Sequence, residues 1–456
     1  MDQQQRDDQA ETARKARTDL ADRGVVGVAT TWVDNCGVTR VKAVPLAKLD
    51  SAARWGIGAS PVFDAFLPDD TIVAGRVAGG PVGDLRLHPD LSRVTVLAAQ
   101  PGWAWAPALR YRQDGTVHPQ DQRAKAIEAA AALADAGYTA KMAFEVEWAV
   151  STTTPQFTPA ATGPAYGYTR LVEQSDYLRE VLVALDAEGV SVDQIHPEYA
   201  AGQYEISMAA EDPVGAADTL VLVRETIRAL SLQRGLYASF SPKVLAEGVG
   251  NGGHVHLSLW RGEQNIFTGS SGQYGMSAEA ESFAAGVLAH LPALLAVGAG
   301  APASYLRLIP SHWAGVFQVW GLENREAALR LVTGSPGNAG AANLEVKAFD
   351  LSGNPYLVVA GLIAAGLDGV RSGSSLCEPV NVDPASLTDS ERASRDIVPL
   401  PTSLAAATDA FEADDVLAAA FGEALATTIV DLRRYEVERS AGASPDELAD
   451  AARWKY

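Results

Sequence analysis

The residues that decide the fold class, 138–150, read YTAKMAFEVEWAV and alternate as a β-strand does. Alternate apolar side chains from Met142 to Trp148 share one face, whereas Glu145 and Glu147 share the other. Two carboxylates on one strand face repel each other unless positive charge offsets them. The stretch therefore predicts a sheet with an apolar back and an ionisable front.

Three further segments repeat this pattern of an ionisable strand face. They are HPEYAAGQYE (196–205), HVHLSLW (254–260) and NLEVK (343–347). Long Ala- and Leu-rich segments between them predict helices near 119–137, 174–189, 212–235, 279–296, 355–373 and 403–441. Long helices that alternate with isolated strands predict a mixed α/β domain.

A length of 456 residues allows one large domain or two. Residues 1–22 predict a polar, partly helical arm, residues 23–103 a small, mainly β domain, and residues 104–456 a larger domain. The β-rich pieces of the small domain are GVVGVATTWVD (24–34), VTRVKAVPL (38–46), TIVAGRV (71–77) and RVTVLAAQ (93–100).

Composition excludes several classes of function. With 36 Lys and Arg against 56 Asp and Glu, the formal charge is −20, so no cationic field attracts nucleic acid or an anionic membrane. The two cysteines, Cys36 and Cys377, are too few for a disulfide framework. The N-terminus lacks a targeting pattern, and the longest apolar run, 283–302, is interrupted by His290 and Pro292. We therefore expect a cytoplasmic protein.

Taken singly, each polar strand face is more often a solvated surface. Together, the strands carry five carboxylates and one or two histidines, an oxygen-rich set that suits Mg²⁺ or Mn²⁺, with two ions favoured over one. The carboxylates are Glu145, Glu147, Glu198, Glu205 and Glu345. Three arginines whose guanidinium groups suit phosphate or carboxylate oxygens follow in the sequence: Arg307, Arg325 and Arg330. Arginines beside a cluster of metal-binding carboxylates indicate phosphoryl transfer from a nucleotide.

The glycine-rich segment GVGNGG (248–253) matches a dinucleotide-binding pattern only superficially. That motif must follow a strand and open a helix, but here a predicted strand follows it. We expect these glycines to let the backbone pass close to a bound ligand.

Six motifs in order make the chain resemble the glutamine synthetase family over nearly its whole length. They are FEVEW (144–148), HPEYAAGQYE (196–205), GNGGHVHLSLW (250–260), LRLIPSHW (306–313), ENREAALRL (323–331) and NLEVKAFDLSGNPYL (343–357). The resemblance implies a fold of the α+β class, with an N-terminal β-grasp domain and a catalytic domain whose antiparallel strand funnel is flanked by helices. It also implies a dodecamer of two hexameric rings with active sites between subunits.

The resemblance also implies roles for individual residues, with ATP, L-glutamate and an amine as substrates. One metal would bind Glu147, Glu198 and Glu205, and a second would bind Glu145, His254 and Glu345. Arg307 would bind the glutamate carboxylate. The reacting groups would be contacted by Gly250, Gly252, Trp313 and Lys347. ATP would be contacted by Arg325, Arg330, His256 and Ser258.

Departures from the family pattern bear on the amine. The loop that carries a glutamate base in glutamine synthetase reads PSHWAG (310–315) and has Trp313 instead, and Lys347 stands where the family has an arginine. No FDGSS-like segment is present, although Asp64, Asp69 and Asp70 lie on the matching loop. No tyrosine lies between Tyr356 and Tyr435 to serve as an adenylylation site.

These departures resemble γ-glutamyl-amine ligases, and we favour ethanolamine as the amine because Trp313 suits a short carbon tail. Three alternatives stay open: a γ-glutamylpolyamine synthetase, a glutamine synthetase that uses ammonia, and an inactive relative with a regulatory or structural role.

Overall fold

The computed structural model describes residues 1–77 and 80–456. Its first sheet has six strands in the order β2-β1-β6-β4-β3, with β5 paired to β6; β1 and β6 are parallel. The strands are β1 Gly27–Val33, β2 Thr39–Pro45, β3 Ile57–Ala59, β4 Leu85–Pro89, β5 Thr95–Val96 and β6 Trp103–Arg112.

One strand prediction for this region is wrong. The piece 71–77 is not a strand; it packs Val73 into a small cluster with Cys36 and Leu67, and β4 takes a place in the sheet that sequence reading missed. The N-terminal 22 residues form a helix that packs on the sheet, because Ala13 and Leu20 are buried among its apolar side chains.

The second sheet carries the polar strand faces. Its nine strands run β13-β14-β15-β11-β7-β9-β8, with β10 paired to β7 and β12 to β11. The β13–β14 pair is parallel, and the others are antiparallel. The strands are β7 Thr139–Ser151, β8 Val192–Pro197, β9 Gln203–Met208, β10 Tyr237–Ser239, β11 Val255–Arg261, β12 Gln264–Asn265, β13 Phe317–Leu322, β14 Ala327–Val332 and β15 Asn343–Val346.

The chain has fourteen helices among the residues described, and α3, α5, α6, α7 and α9 lie close to where the sequence predicts helices. They are α1 Gln3–Asp22, α2 Leu49–Trp55, α3 Gln122–Asp135, α4 Tyr168–Glu173, α5 Ser175–Ala187, α6 Pro213–Gln233, α7 Ala278–Gly298, α8 Ser304–Arg307, α9 Pro355–Ser372, α10 Asp389–Ser394, α11 Leu404–Glu412, α12 Asp415–Phe421, α13 Glu423–Arg439 and α14 Pro445–Ala452. The single helix predicted at 403–441 is three, because Asp414 caps α12 and Gly422, at φ 79°, ends it.

The longest apolar helix, α7, lies in the core. By length and composition it could span a membrane, but 78% of its apolar window is buried inside the protein. It crosses α9 where Gly286 meets Gly369, and a Cβ on Gly286 would lie 2.7 Å from the backbone nitrogen of Gly369. The main core also includes Trp105 of β6, so it extends to the first sheet. Strand β6 crosses the boundary predicted at residue 103, and the division into domains stays a prediction.

Candidate active site

A cavity of about 620 Å³ opens on the ionisable face of the second sheet. Strand register brings the predicted carboxylates to it, because Glu147 lies opposite Glu205 and Glu345 lies opposite His256. All six predicted metal ligands line this cavity: Glu145, Glu147, Glu198, Glu205, His254 and Glu345.

A first carboxylate cluster forms where β7, β8 and β9 meet. His196 at the end of β8 joins the three predicted ligands, with its Nε2 3.3 Å from Glu205 and its Nδ1 3.6 Å from Glu198. One ligand atom each from His196, Glu198 and Glu205 lies within 4.8 Å of the other two, which is close enough for one cation to contact all three. Glu147, predicted as the third ligand, accepts a hydrogen bond from Nε2 of Gln203 at 2.8 Å.

Charge crowding is marked in this cluster. Burial raises the pKa of Glu147 to about 7, and repulsion from Glu205 and Glu198 adds to the rise, whereas His254 opposes it. Burial also raises the pKa of Glu205. A hydrogen bond to Glu205 raises the pKa of His196 to about 9. Buried carboxylates that destabilise one another's charged forms suit a site that holds cations.

A second cluster joins β7, β11 and β15. Nδ1 of His254 lies 2.8 Å from Glu145 and 3.5 Å from Glu345, and Nε2 of His256 lies 3.1 Å from Glu145. Burial disfavours the charged form of Glu145, but hydrogen bonds from the two histidines hold its pKa well below the usual range.

The two histidines of this cluster differ in orientation. The resemblance assigns His254 to the second metal, but the group whose ligand atoms lie within 4.8 Å consists of Glu145, His256 and Glu345. Nδ1 of His256 donates to Oδ1 of Asn343 at 2.8 Å, which directs Nε2 toward the carboxylates. This hydrogen bond is the kind that orients a metal-binding imidazole. Which histidine binds metal stays a prediction.

Arg307 brings a buried guanidinium to the cavity wall. Its Nη2 lies 3.1 Å from Nε2 of His254 and donates to the carbonyl of Lys347 at 3.0 Å. Its buried Nη1 has no hydrogen-bond partner among the residues that the structure describes. Burial lowers the pKa of Arg307. A buried guanidinium with a free donor suits an anionic oxygen of a substrate.

The two oxygens of Glu345 bind two of the predicted cationic residues. Nζ of Lys347 donates to Oε1 at 2.9 Å, and Nη1 of Arg330 donates to Oε2 at 2.9 Å. Arg325 is exposed in the turn between β13 and β14 and also lines the cavity. The site therefore places three cationic side chains beside the carboxylate clusters.

The glycine-rich segment passes close to these groups, as predicted. A Cβ on Gly252 would lie 2.6 Å from Nε2 of His254 and 2.7 Å from Oε1 of Glu147. Gly250 lines the cavity, and a Cβ there would lie 3.1 Å from Cβ of Arg307. Glycine is required at Gly252 because a Cβ would collide with side chains of the site, and at Gly250 because a Cβ would collide with the carbonyl oxygen of Pro242.

A second cavity of about 610 Å³ adjoins the first. His256 and Ser258, predicted to contact ATP, line it, and the two cavities share Glu145 and Gln194. The predicted ATP contacts are therefore divided: Arg325 and Arg330 line the first cavity. A ligand that contacts His256 and Ser258 in one cavity and Arg325 and Arg330 in the other would extend past Glu145, which lines both cavities.

Aromatic rings surround the mouth of the first cavity. The indole of Trp313 lies 5.1 Å from the ring of Tyr199, and Tyr166 donates its hydroxyl proton to Glu198 at 2.7 Å. Tyr166 also lies 5.6 Å from the ring of His196. Sequence reading missed both tyrosines and His196; the HPEY motif was a usable signal for His196 and Tyr199, but nothing local indicates Tyr166.

The loop acids considered for the amine have other partners. Within this chain they form ion pairs and hydrogen bonds away from the cavity: Asp64 with Arg110 and His118, Asp69 with Arg439, and Asp70 with Arg40.

Comparison with known proteins agrees with this geometry. The model of the glutamine synthetase catalytic domain matches residues 119–449. The chain belongs to the glutamine synthetase family. It is 52% identical to γ-glutamylpolyamine synthetase GlnA3 of Streptomyces coelicolor over 453 residues. This alignment covers 98% of this chain and 97% of that protein. It is 30% identical to the glutamine synthetase of Mycolicibacterium smegmatis, over 94% of this chain and 96% of that one.

Solved structures of the family share the fold. A glutamine synthase homologue superposes with a TM-score of 0.85 at 31% identity, over 95% of this chain and 99% of that one. A complex of GmaS with ADP superposes with a TM-score of 0.81 at 26% identity, over 94% of this chain and 96% of that one. The predicted α+β fold and family are confirmed, and the protein is a ligase of a family that uses ATP, divalent metal ions and amine substrates.

Proposed function

We propose that the protein joins the γ-carboxylate of L-glutamate to a polyamine, with hydrolysis of ATP to ADP and phosphate. The carrying observation is the 52% identity, over 98% of the chain, to a protein named γ-glutamylpolyamine synthetase. Ethanolamine, favoured from sequence, becomes the second candidate because Trp313 does line the cavity.

The cavity mouth supports an organic cation with a carbon chain. The exposed rings of Tyr166, Tyr199 and Trp313 offer apolar faces to methylene groups and π faces to ammonium groups. Ammonia would use none of the apolar surface, and so a glutamine synthetase activity is disfavoured.

The residues fit two divalent ions, because two groups of buried carboxylates each include an imidazole. We assign one ion to Glu147, Glu198 and Glu205 with His196 near, and the other to Glu145 and Glu345 with either His254 or His256. When bound, the ions supply positive charge that stabilises the phosphate oxygens in phosphoryl transfer.

The protein's own groups then hold the reactants. ATP extends from the second cavity, beside His256 and Ser258, so that its phosphates meet Arg325 and Arg330. Glutamate binds at Arg307, and its γ-carboxylate oxygen attacks the γ-phosphorus, releasing ADP and forming γ-glutamyl phosphate. The neutral amine attacks the acyl carbon, a proton leaves the nitrogen, and phosphate departs.

An amine panel tests this assignment. Phosphate release and product mass are measured with glutamate, ATP, Mg²⁺ and equal concentrations of putrescine, spermidine, ethanolamine or ammonium. We expect the fastest turnover with putrescine or spermidine and negligible turnover with ammonium. A preference for ethanolamine would establish the second candidate, and turnover with none of the four amines would favour an inactive relative.

Assembly and location are also part of this proposal. The resemblance supports a dodecamer of two hexameric rings in the cytoplasm, with neighbouring subunits completing each site.

A further inference from the structure

The segment that carries Trp313 has an unusual backbone. Ser311 has φ 59° and Trp313 has φ 56°, and neither is a glycine. Such conformations are costly for residues with a side chain and persist where surrounding contacts hold them. The side chains that supply those contacts therefore determine where the indole lies.

Two carboxylates hold this segment. Oε1 of Glu326 accepts the backbone N–H of Trp313 at 2.8 Å, and Oδ2 of Asp383 accepts the hydroxyl of Ser311 at 2.8 Å. Glu326 is itself fixed, because its N–H donates to Oδ1 of Asn324 at 3.0 Å. Nδ2 of Asn324 in turn donates to the carbonyl of Val382 at 3.0 Å.

We propose that Glu326 is a positioning residue that holds Trp313 at the mouth of the cavity and thereby sets the affinity for the amine. This inference rests on the proposed function for its substrate class. Glu326 immediately precedes β14, whereas Trp313 belongs to the loop before β13, so one hydrogen bond joins the loop to the sheet. The contact needs an acceptor at Oε1 and does not need a negative charge.

The charged surroundings of Glu326 are consistent with this role. Burial raises the pKa of Glu326, repulsion from Asp383 adds to the rise, and Lys347 and His312 oppose it. A half-buried carboxylate that pairs with a backbone amide serves as an anchor, and glutamine offers the same acceptor without the charge.

Kinetics of three variants test the proposal, with the amine that the wild type uses best. We expect Glu326→Ala to raise the KM for the amine at least 10-fold while the KM values for glutamate and ATP stay within 2-fold. Glu326→Gln should stay within about 3-fold of wild type in every parameter. Glu323→Ala is the matched control, since this exposed carboxylate accepts only from Thr333 among its described contacts.

A double variant separates positioning from a fold defect. If Glu326 acts through the indole, Trp313→Ala with Glu326→Ala should raise the amine KM no more than Trp313→Ala alone. Equal losses in Glu326→Gln and Glu326→Ala would show that the charge matters and would overturn the proposal, as would an unchanged amine KM in Glu326→Ala. The readout is independent of which amine wins the panel, so the proposed function can fail separately.

Discussion

At the scale of single residues, the site is a set of buried charges that compensate one another. Glu345 is 1% exposed and Lys347 is 3% exposed, so neither can remain charged without a partner. Burial opposes the charged form of Glu345, but attraction to Lys347 contributes most to holding its pKa below the usual range. A lysine at this position offers Glu345 a single ammonium group in place of the two-pronged guanidinium of an arginine.

Lys347 carries the first residue-scale prediction. Lys347→Met keeps most of the side-chain volume and removes the charge. We expect turnover to fall at least 100-fold, because the transferred phosphoryl group loses a counter-charge and Glu345 keeps only Arg330 as a cationic partner. Lys347→Arg should remain active. Steady-state kinetics with circular dichroism as a folding control measure both, and a Met variant of near wild-type rate would remove Lys347 from the site.

At the scale of elements, register and helix crossing build the site from distant segments. Antiparallel pairing of β7 with β9 and of β11 with β15 places carboxylates from three parts of the chain on one face. Helices α6 and α7 pack on the sheet, and α7 crosses α9 closely at Gly286 and Gly369. This close crossing explains why a 21-residue apolar helix contains a glycine.

The helix crossing gives an element-scale prediction. In an isolated helix, Gly286→Ala would gain about 1 kcal/mol of stability from helix propensity. Here the new Cβ meets the α9 backbone, so we expect a net loss of about 1–3 kcal/mol from overpacking. Thermal unfolding should show a lower midpoint for Gly286→Ala and little change for Ser282→Ala on the same helix. A raised midpoint for Gly286→Ala would show that α9 shifts freely.

At the scale of the whole molecule, the net charge of −20 and the buried carboxylates oppose the folded state. Divalent ions that bind the native site stabilise it by mass action, by about 2.7 kcal/mol at a concentration 100 times the Kd. The ion requirement should therefore be visible in stability as well as in activity.

This reasoning predicts the effect of metal removal. EDTA should lower the unfolding temperature of the wild type by a few degrees and abolish activity, and Mg²⁺ or Mn²⁺ should restore both. Glu205→Ala should be inactive, should gain little stability from Mg²⁺, and should be at least as stable as wild type in EDTA because one repelling carboxylate is gone. Glu128→Ala, which removes an exposed carboxylate on α3, is the control. Full Mg²⁺ stabilisation of Glu205→Ala would contradict the ligand assignment.

The sequence by itself determined the family and the cavity position of the six predicted metal ligands. The reason is local: strand alternation assigns Glu145 and Glu147 to one face from neighbouring residues alone, and the motif order identifies the fold. Long helices such as α6 and α7 were equally predictable, because a long apolar segment with helical periodicity is compatible with few other structures.

Only the tertiary structure decided which side chains meet across segments. His196 lies beside Glu198 and Glu205 because of strand register. Asp64 forms an ion pair with Arg110, and this pairing depends on the path of a loop. Glu326 accepts a hydrogen bond from the backbone of Trp313 because the loop before β13 folds against the turn that precedes β14. Such contacts depend on how distant segments pack, and residue order along the chain does not encode that packing locally.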